Sequence, residues 1–378
     1  MSMHKFLTLI LFFVFTFPFV AQAADLDVTA KQGIVIDLET NTVLWSLNES
    51  EQMPTSSMSK VLTGIVVYDA IQDGEVTLET MLPVSEAAWS KGGSKMFVEL
   101  GNDISVDDLL NGVVIQSGND ACIVLAEGLA GSEDVFAERL NKKAKQIGMT
   151  DSNFVNATGW PDDGHYSTAK DLALMSRYLI ENYPEEYARY AQMEYEYHGI
   201  KQGNRNPLLR RTAGADGVKT GHTEAAGYGL IGSAKRGERR ILFVMNGWET
   251  MNDRYTQGPK IIDWAFKNFK NKGLAPSETK ITRASVLYGE SNFVNLGVSK
   301  PLKMTVPAGG QIPKLSYTAS VPKAIKAPVK KGDVVATLNI FDGEKQLASQ
   351  DLVALDDVAK GSFMDHISDN IRYLVFGQ

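Results

Sequence analysis

The chain has 378 residues, 44% hydrophobic and 22% charged, a length suited to two globular domains. Its net charge of −7 is spread over interspersed acids and bases, with no long basic run and no Lys/Arg stripe carrying aromatics, which argues against a nucleic-acid partner. Five histidines and a lone cysteine without ligand-like spacing argue against a metal site, and Cys122 has no partner for an internal disulfide.

The chain begins with a targeting pattern. His4 and Lys5 precede an apolar run over 6–20, then the small-x-small sequence Ala21-Gln22-Ala23. The run is too short for a membrane span, so residues 1–23 are expected to be a signal peptide cleaved after Ala23, and the protein to be exported. Two strands joined by a turn are expected between about 28 and 46. Pro54-Thr55-Ser56 then opens a helix with Met58, Val61, Leu62, Ile65 and Val66 on one face, ending near Gly74. Further helices are expected at about 105–117, 120–130, 133–147 and 168–182. A hairpin follows, 228–234 and 240–245, turned by Lys235-Arg236-Gly237-Glu238, and then a last helix over 259–269.

Around Lys272-Gly273-Leu274-Ala275-Pro276 the composition shifts to Val, Ile, Thr, Pro and Gly. This places a first domain at 24–272 and a small β-domain at 278–358, with strand-like runs such as 302–306 and 334–338. The tail over 361–378 is amphipathic, with Phe363, Ile367, Ile371, Leu374 and Val375 on one helical stripe. Such a helix either packs on the β-domain or lies in a membrane interface. With two Asp and one Arg it would rely there on its apolar face.

Three motifs carry chemistry. Ser57-Met58-Ser59-Lys60 puts a hydroxyl and an amine three residues apart, on one helical face. Serine needs a neighbour to take its proton, and lysine serves only if its pKa falls from about 10.4 towards 7–8, a shift of about 4 kcal/mol. A second cation about 4 Å away supplies roughly that much, so another Lys or Arg is expected in the same site. Alone the motif is weak, because five Ser-x-x-Lys matches occur, starting at Ser2, Ser57, Ser167, Ser277 and Ser320. Its weight comes from Ser117-Gly118-Asn119 and Lys219-Thr220-Gly221 following in order. Ser117 and Asn119 offer a second hydroxyl and an amide, or else a turn capping the next helix. Lys219 is the second cation, Thr220 a donor to a carboxylate, and Gly221 a place where substrate can lie against a strand edge. The alternative for that triplet is an exposed strand end. Cys122 reads as a packed core thiol, and His165 as a possible cleft-lining residue.

In this order the motifs resemble the penicillin-recognising serine enzymes. Residues 54–60, 117–122, Asn204-Arg205-Asn206 and 217–223 look more closely like the D-alanyl-D-alanine carboxypeptidases, and the resemblance covers essentially the whole mature chain. Departures are small: Ser59 stands where Thr is usual and Asn246 where Gly is common. The resemblance implies an α+β chain: a β-lactamase/transpeptidase-like α/β/α sandwich with an antiparallel sheet, a small all-β domain and a C-terminal membrane-anchoring helix. It implies that Ser57 attacks the carbonyl between two terminal D-alanines with Lys60 as base, and that Ser117 and Lys219 return the proton. The backbone N–H groups of Ser57 and His222 would form the oxyanion hole, and Thr220 and Arg205 would grip the terminal carboxylate. The partners implied are the peptidoglycan stem pentapeptide, β-lactam antibiotics and the periplasmic face of the cytoplasmic membrane, with no cofactor. A β-lactamase would need a glutamate to activate water, and no Glu-x-x-Leu-Asn lies between Ser117 and Lys219. An endopeptidase differs in cutting cross-links, and a non-catalytic wall-binding protein would need no Ser57 at all.

Overall fold

The structure is a computed structural model and describes residues 25–362. The expected signal peptide and terminal helix lie outside these residues. The chain divides into two compact units at Lys270/Asn271.

The first unit is built on a five-stranded antiparallel sheet. Its strands are β1 (Gln32–Asp37), β2 (Thr42–Leu47), β3 (Ala215–Thr223), β4 (Gly227–Arg236) and β5 (Arg239–Trp248), in the order β2-β1-β5-β4-β3. The expected hairpin is β4–β5, pairing out to Arg236↔Arg239 across a two-residue turn whose Gly237 has φ 63°. The helices flanking the sheet are α1 (Lys60–Gln72), α2 (Val106–Asn111), α3 (Asn119–Ala130), α4 (Glu133–Ile147), α5 (Ala169–Asn182) and α6 (Met251–Asn268). Strand residues alternate between faces. Leu242 and Val244 join the core shared with α1, α3 and α5, whereas Phe243 meets Leu208 and the Gly258 side of α6. Both faces of the sheet are therefore covered, and each fully buried Leu or Val contributes about 1.5–3 kcal/mol to holding the layers together.

Local chemistry explains the helix limits. Ser132 and Thr168 accept hydrogen bonds from the backbones of Val135 and Asp171, and Gly148 ends α4 with φ 93°. The last helix differs from expectation: it starts eight residues earlier, at Met251, and carries Pro259 inside it. Thr250 and Asp253 form a reciprocal cap at its start, with the Asp253 N–H donating to Thr250 Oγ1 at 3.1 Å. Proline removes the N–H that would reach the Tyr255 carbonyl one turn back. That carbonyl accepts from Arg211 Nη1 instead, at 3.1 Å.

The second unit is all-β. After β6 (Phe269–Ala275), its strands are β7 (Lys280–Leu287), β8 (Phe293–Gly297), β9 (Leu302–Pro307), β10 (Leu315–Ser320), the two-residue Ile325–Lys326, β11 (Val334–Asp342) and β12 (Lys345–Ala354). A six-stranded sheet runs β10-β11-β12-β8-β7 and then Ile325–Lys326, while β6 pairs with β9. Alternate residues Ala336, Leu338 and Ile340 of β11 turn inward onto Val286, Leu296 and Leu352.

Candidate active site

Ser57 sits on a short 3-10 turn, Ser56–Ser59, that leads into α1. The preceding Ser56 adopts φ 50°, a left-handed conformation uncommon outside glycine. Neighbours hold it there. The Ser56 and Thr223 hydroxyls meet at 3.3 Å. Gly159, at φ 75°, packs so closely that an added Cβ would stand 1.9 Å from the Ser56 carbonyl oxygen. Gly221 lines the cleft beside Thr220 and serves this packing as well. A Cβ there would lie 3.0 Å from the Thr55 carbonyl and 3.1 Å from the Met58 side chain. The glycine of Lys219-Thr220-Gly221 thus docks β3 onto the turn that carries Ser57.

The motif residues converge. Lys60 Nζ donates to Ser57 Oγ at 3.0 Å, to Asn119 Oδ1 at 2.7 Å and to the Thr158 carbonyl at 2.5 Å. Asn156 Oδ1 keeps that carbonyl in place by accepting from the N–H groups of Thr158, Gly159 and Trp160. Lys219 Nζ donates to Ser117 Oγ at 2.9 Å. Both lysines are buried. Burial pulls the Lys60 ammonium down to about 8, with the Arg205 charge adding to it. Burial likewise holds Lys219 well below the ordinary lysine range, assisted by Lys60 and Arg205. Desolvation is thus the larger cause at both sites, where the sequence argument had assigned it to a second cation. The cation that weighs on Lys60 is Arg205.

Ser117 owes its position to a break in the helix. α2 passes into a π-helical segment, Gly112–Gln116, and Ser117 then takes φ 60°, ψ 32° before α3 begins. It ends the π-helical segment, its N–H donating to the Gly112 carbonyl, and its side chain does not cap α3; its hydroxyl meets Lys219. Asn119 also donates from Nδ2 to the Gly92 carbonyl at 2.8 Å. The buried Asp120 accepts from the N–H groups of Met96, Phe97 and Val98, pinning the loop that brings Ser94 to the site.

The cleft opens as two adjoining cavities that share Ser57, Ser94 and His222. One, of about 320 Å³, is lined by Thr220, Arg205, Arg254 and Ser117 and by no acidic residue. Arg205 donates to Ser94 Oγ at 2.6 Å. The other cavity, of about 630 Å³, is walled by Asn119, Trp160, Pro161, Thr223 and Glu224. The exposed His222 ring stacks on Tyr228 at 3.9 Å. Arg254 was not legible in the sequence. It lies in the first turn of α6, buried, with Nη1 donating to the Gly221 carbonyl at 3.2 Å and its Nε without a partner among the described residues. Only the Thr250-x-x-Asp253 cap, which fixes where α6 starts, could have pointed to it. Cys122 is a core thiol, pushed up to about 12 by burial. His165 is buried beneath the Ser57 turn and lines neither of these cavities but an adjoining one of about 280 Å³, which shares Gly159, Trp160, Pro161, Thr223 and Ala225 with the larger.

A hydroxyl beside a depressed lysine, a second hydroxyl–lysine pair and a cationic half-cleft suit attack on a carbonyl close to an anionic group. Comparison with known proteins agrees. The family described as D-alanyl-D-alanine carboxypeptidase matches residues 19–249, and the C-terminal domain of penicillin-binding protein 5 matches 269–360. The D-alanyl-D-alanine carboxypeptidase DacC of Escherichia coli is 36% identical, over 94% of this chain and 92% of that protein. Penicillin-binding protein 5 of Haemophilus influenzae superposes with a TM-score of 0.77 at 34% identity, over 88% of this chain and 98% of that one. Penicillin-binding protein D2 of Listeria monocytogenes in its cefotaxime-bound form superposes with a TM-score of 0.60 at 31% identity, over 64% of this chain and 99% of that one.

Proposed function

The chain belongs to the D-alanyl-D-alanine carboxypeptidase family of serine peptidases, and from that premise we propose that it removes the terminal D-alanine of peptidoglycan pentapeptide stems through an acyl-enzyme on Ser57. The observation that carries the reading is the 3.0 Å contact between Ser57 Oγ and a lysine whose amine is neutral in about one molecule in ten at pH 7.

In this mechanism Lys60 takes the proton as Ser57 Oγ bonds to the carbonyl carbon between the two D-alanines. The tetrahedral oxyanion is met by the N–H groups of Ser57 and His222. Two features support this: Ser57 lies at the start of a helical turn, where donors lack partners, and His222 lies on an edge strand. One such donor stabilises the transition state by roughly 3–4 kcal/mol. As the C–N bond breaks, Ser117, coupled to Lys219, protonates the leaving amine. The leaving residue's carboxylate sits in the cavity of Thr220, Arg205 and Arg254, and the retained peptide lies in the larger one, where Asn119 can hold its backbone. Water then hydrolyses the ester. A β-lactam amide presents the same carbonyl and would acylate Ser57 by the same steps, a reading the cefotaxime-bound relative supports. The signal-like start and amphipathic tail support an exported enzyme held at the periplasmic face of the cytoplasmic membrane.

Incubation with diacetyl-Lys-D-Ala-D-Ala is the test. Free D-alanine should appear with time and be abolished by prior treatment with penicillin. Absence of release, or release insensitive to penicillin, would contradict the reading.

A further inference from the structure

We propose that His165, which lines neither cavity around Ser57, is a positioning residue for acylation, holding the turn that carries Ser57 through a hydrogen bond to Ser59. This rests on Ser57 being the nucleophile. The segment 156–167 grips the turn and the residues on either side of it. Gly159 packs on the Ser56 carbonyl, the Thr158 carbonyl takes Lys60 Nζ, Ser167 bridges to Met53, and His165 Nε2 lies 2.8 Å from Ser59 Oγ. Only the last of these runs from a side chain of the segment to a side chain of the turn.

The proton directions follow from the partners. The Val155 N–H points at His165 Nδ1, at 3.4 Å, so Nδ1 is the acceptor and Nε2 carries the proton. Nε2–H then donates to Ser59 Oγ, and the Ser59 hydroxyl donates to Thr55 Oγ1 at 2.5 Å. Thr55 and Ser59, both buried, flank the strained Ser56 and the reacting Ser57, so the chain of donors closes the base of the turn. The ring is braced edge-on against Phe154 at 5.3 Å, and the Phe154 backbone is tied on both sides to Asn141 of α4. Burial lowers His165 to about 4, so at neutral pH the ring stays neutral and the directions stand. A residue that only fixes the turn changes how often Ser57 is aligned, not how the substrate is held. Its loss should therefore appear in acylation rather than in KM.

His165→Phe keeps the ring packing and removes the hydrogen bond; His165→Gln keeps a donor in reach of Ser59. The Phe variant is expected to lose 10- to 100-fold in kcat for D-alanine release and in the second-order rate of penicillin acylation, with KM within about threefold of wild type. The Gln variant should recover to within about threefold of wild type. Ser59→Ala should reproduce the Phe loss, and it keeps the question open to test if the Phe variant fails to fold. Wild-type acylation by His165→Phe or Ser59→Ala, a loss seated in KM, or no recovery by Gln would overturn the proposal. A wild-type enzyme that releases no D-alanine would instead overturn the function it rests on.

Discussion

Lys60→Gln is expected to lower kcat/KM for D-alanine release by about 10³-fold or more and to flatten its pH profile. The glutamine amide cannot take a proton. In the wild-type enzyme the base is the neutral amine, and its pKa is lowered from 10.5 to about 8. Activity should therefore rise about tenfold per unit as pH climbs towards 8, and level off above it. Left unshifted, the same lysine would be neutral in about one molecule in 3,000 at pH 7, and the shift corresponds to about 3 kcal/mol. Steady-state rates between pH 6 and 9 check both statements. A Gln variant that kept the steep wild-type rise would show that another group is the base.

The second large effect concerns the leaving end of the substrate. Arg254→Gln should reduce kcat/KM about 10²-fold for a peptide ending in a free carboxylate, and leave a peptide ending in an amide nearly unchanged. A charge-assisted hydrogen bond in a buried cationic site is worth about 1.5–3 kcal/mol, and an amide presents no charge to lose. Comparing the two substrates separates this from general damage, because a misfolded variant would lose both. Arg254 also supports the Gly221 carbonyl, a contact the shorter glutamine gives up, and the amide-ended peptide reports the cost of that loss separately. Equal losses on both peptides would remove Arg254 from carboxylate binding.

The sequence revealed the reacting groups better than it revealed what surrounds them. Ser57, Lys60, Ser117, Asn119 and Lys219 were legible because each lies in a short motif whose chemistry demands those residue types. The helices 119–130, 133–147 and 169–182 were legible because capping residues and glycines mark their ends. Strand β3 was legible only at its Lys219-Thr220-Gly221 edge, and its full extent was not. Its glycines at 217 and 221 blur any alternation, and it lies at the sheet edge. Pro259 masked the first turns of α6, because the Arg211 donor that makes it tolerable is distant in sequence. Gly159, His165 and Arg254 act through contacts roughly 35 to 105 residues away along the chain, which no local pattern encodes. The source of the lysine shifts was misjudged for a related reason. Charge can be counted in a sequence, whereas burial of an ammonium appears only once the layers are packed.

The most direct test is to treat the protein with benzylpenicillin, digest it and locate the adduct by mass spectrometry. The mass of one penicilloyl group should fall on the peptide that holds Ser57, and a Ser57→Ala protein should carry none. An adduct on Ser117 or any other residue, or one that persists in the alanine variant, would mean that the nucleophile has been misassigned.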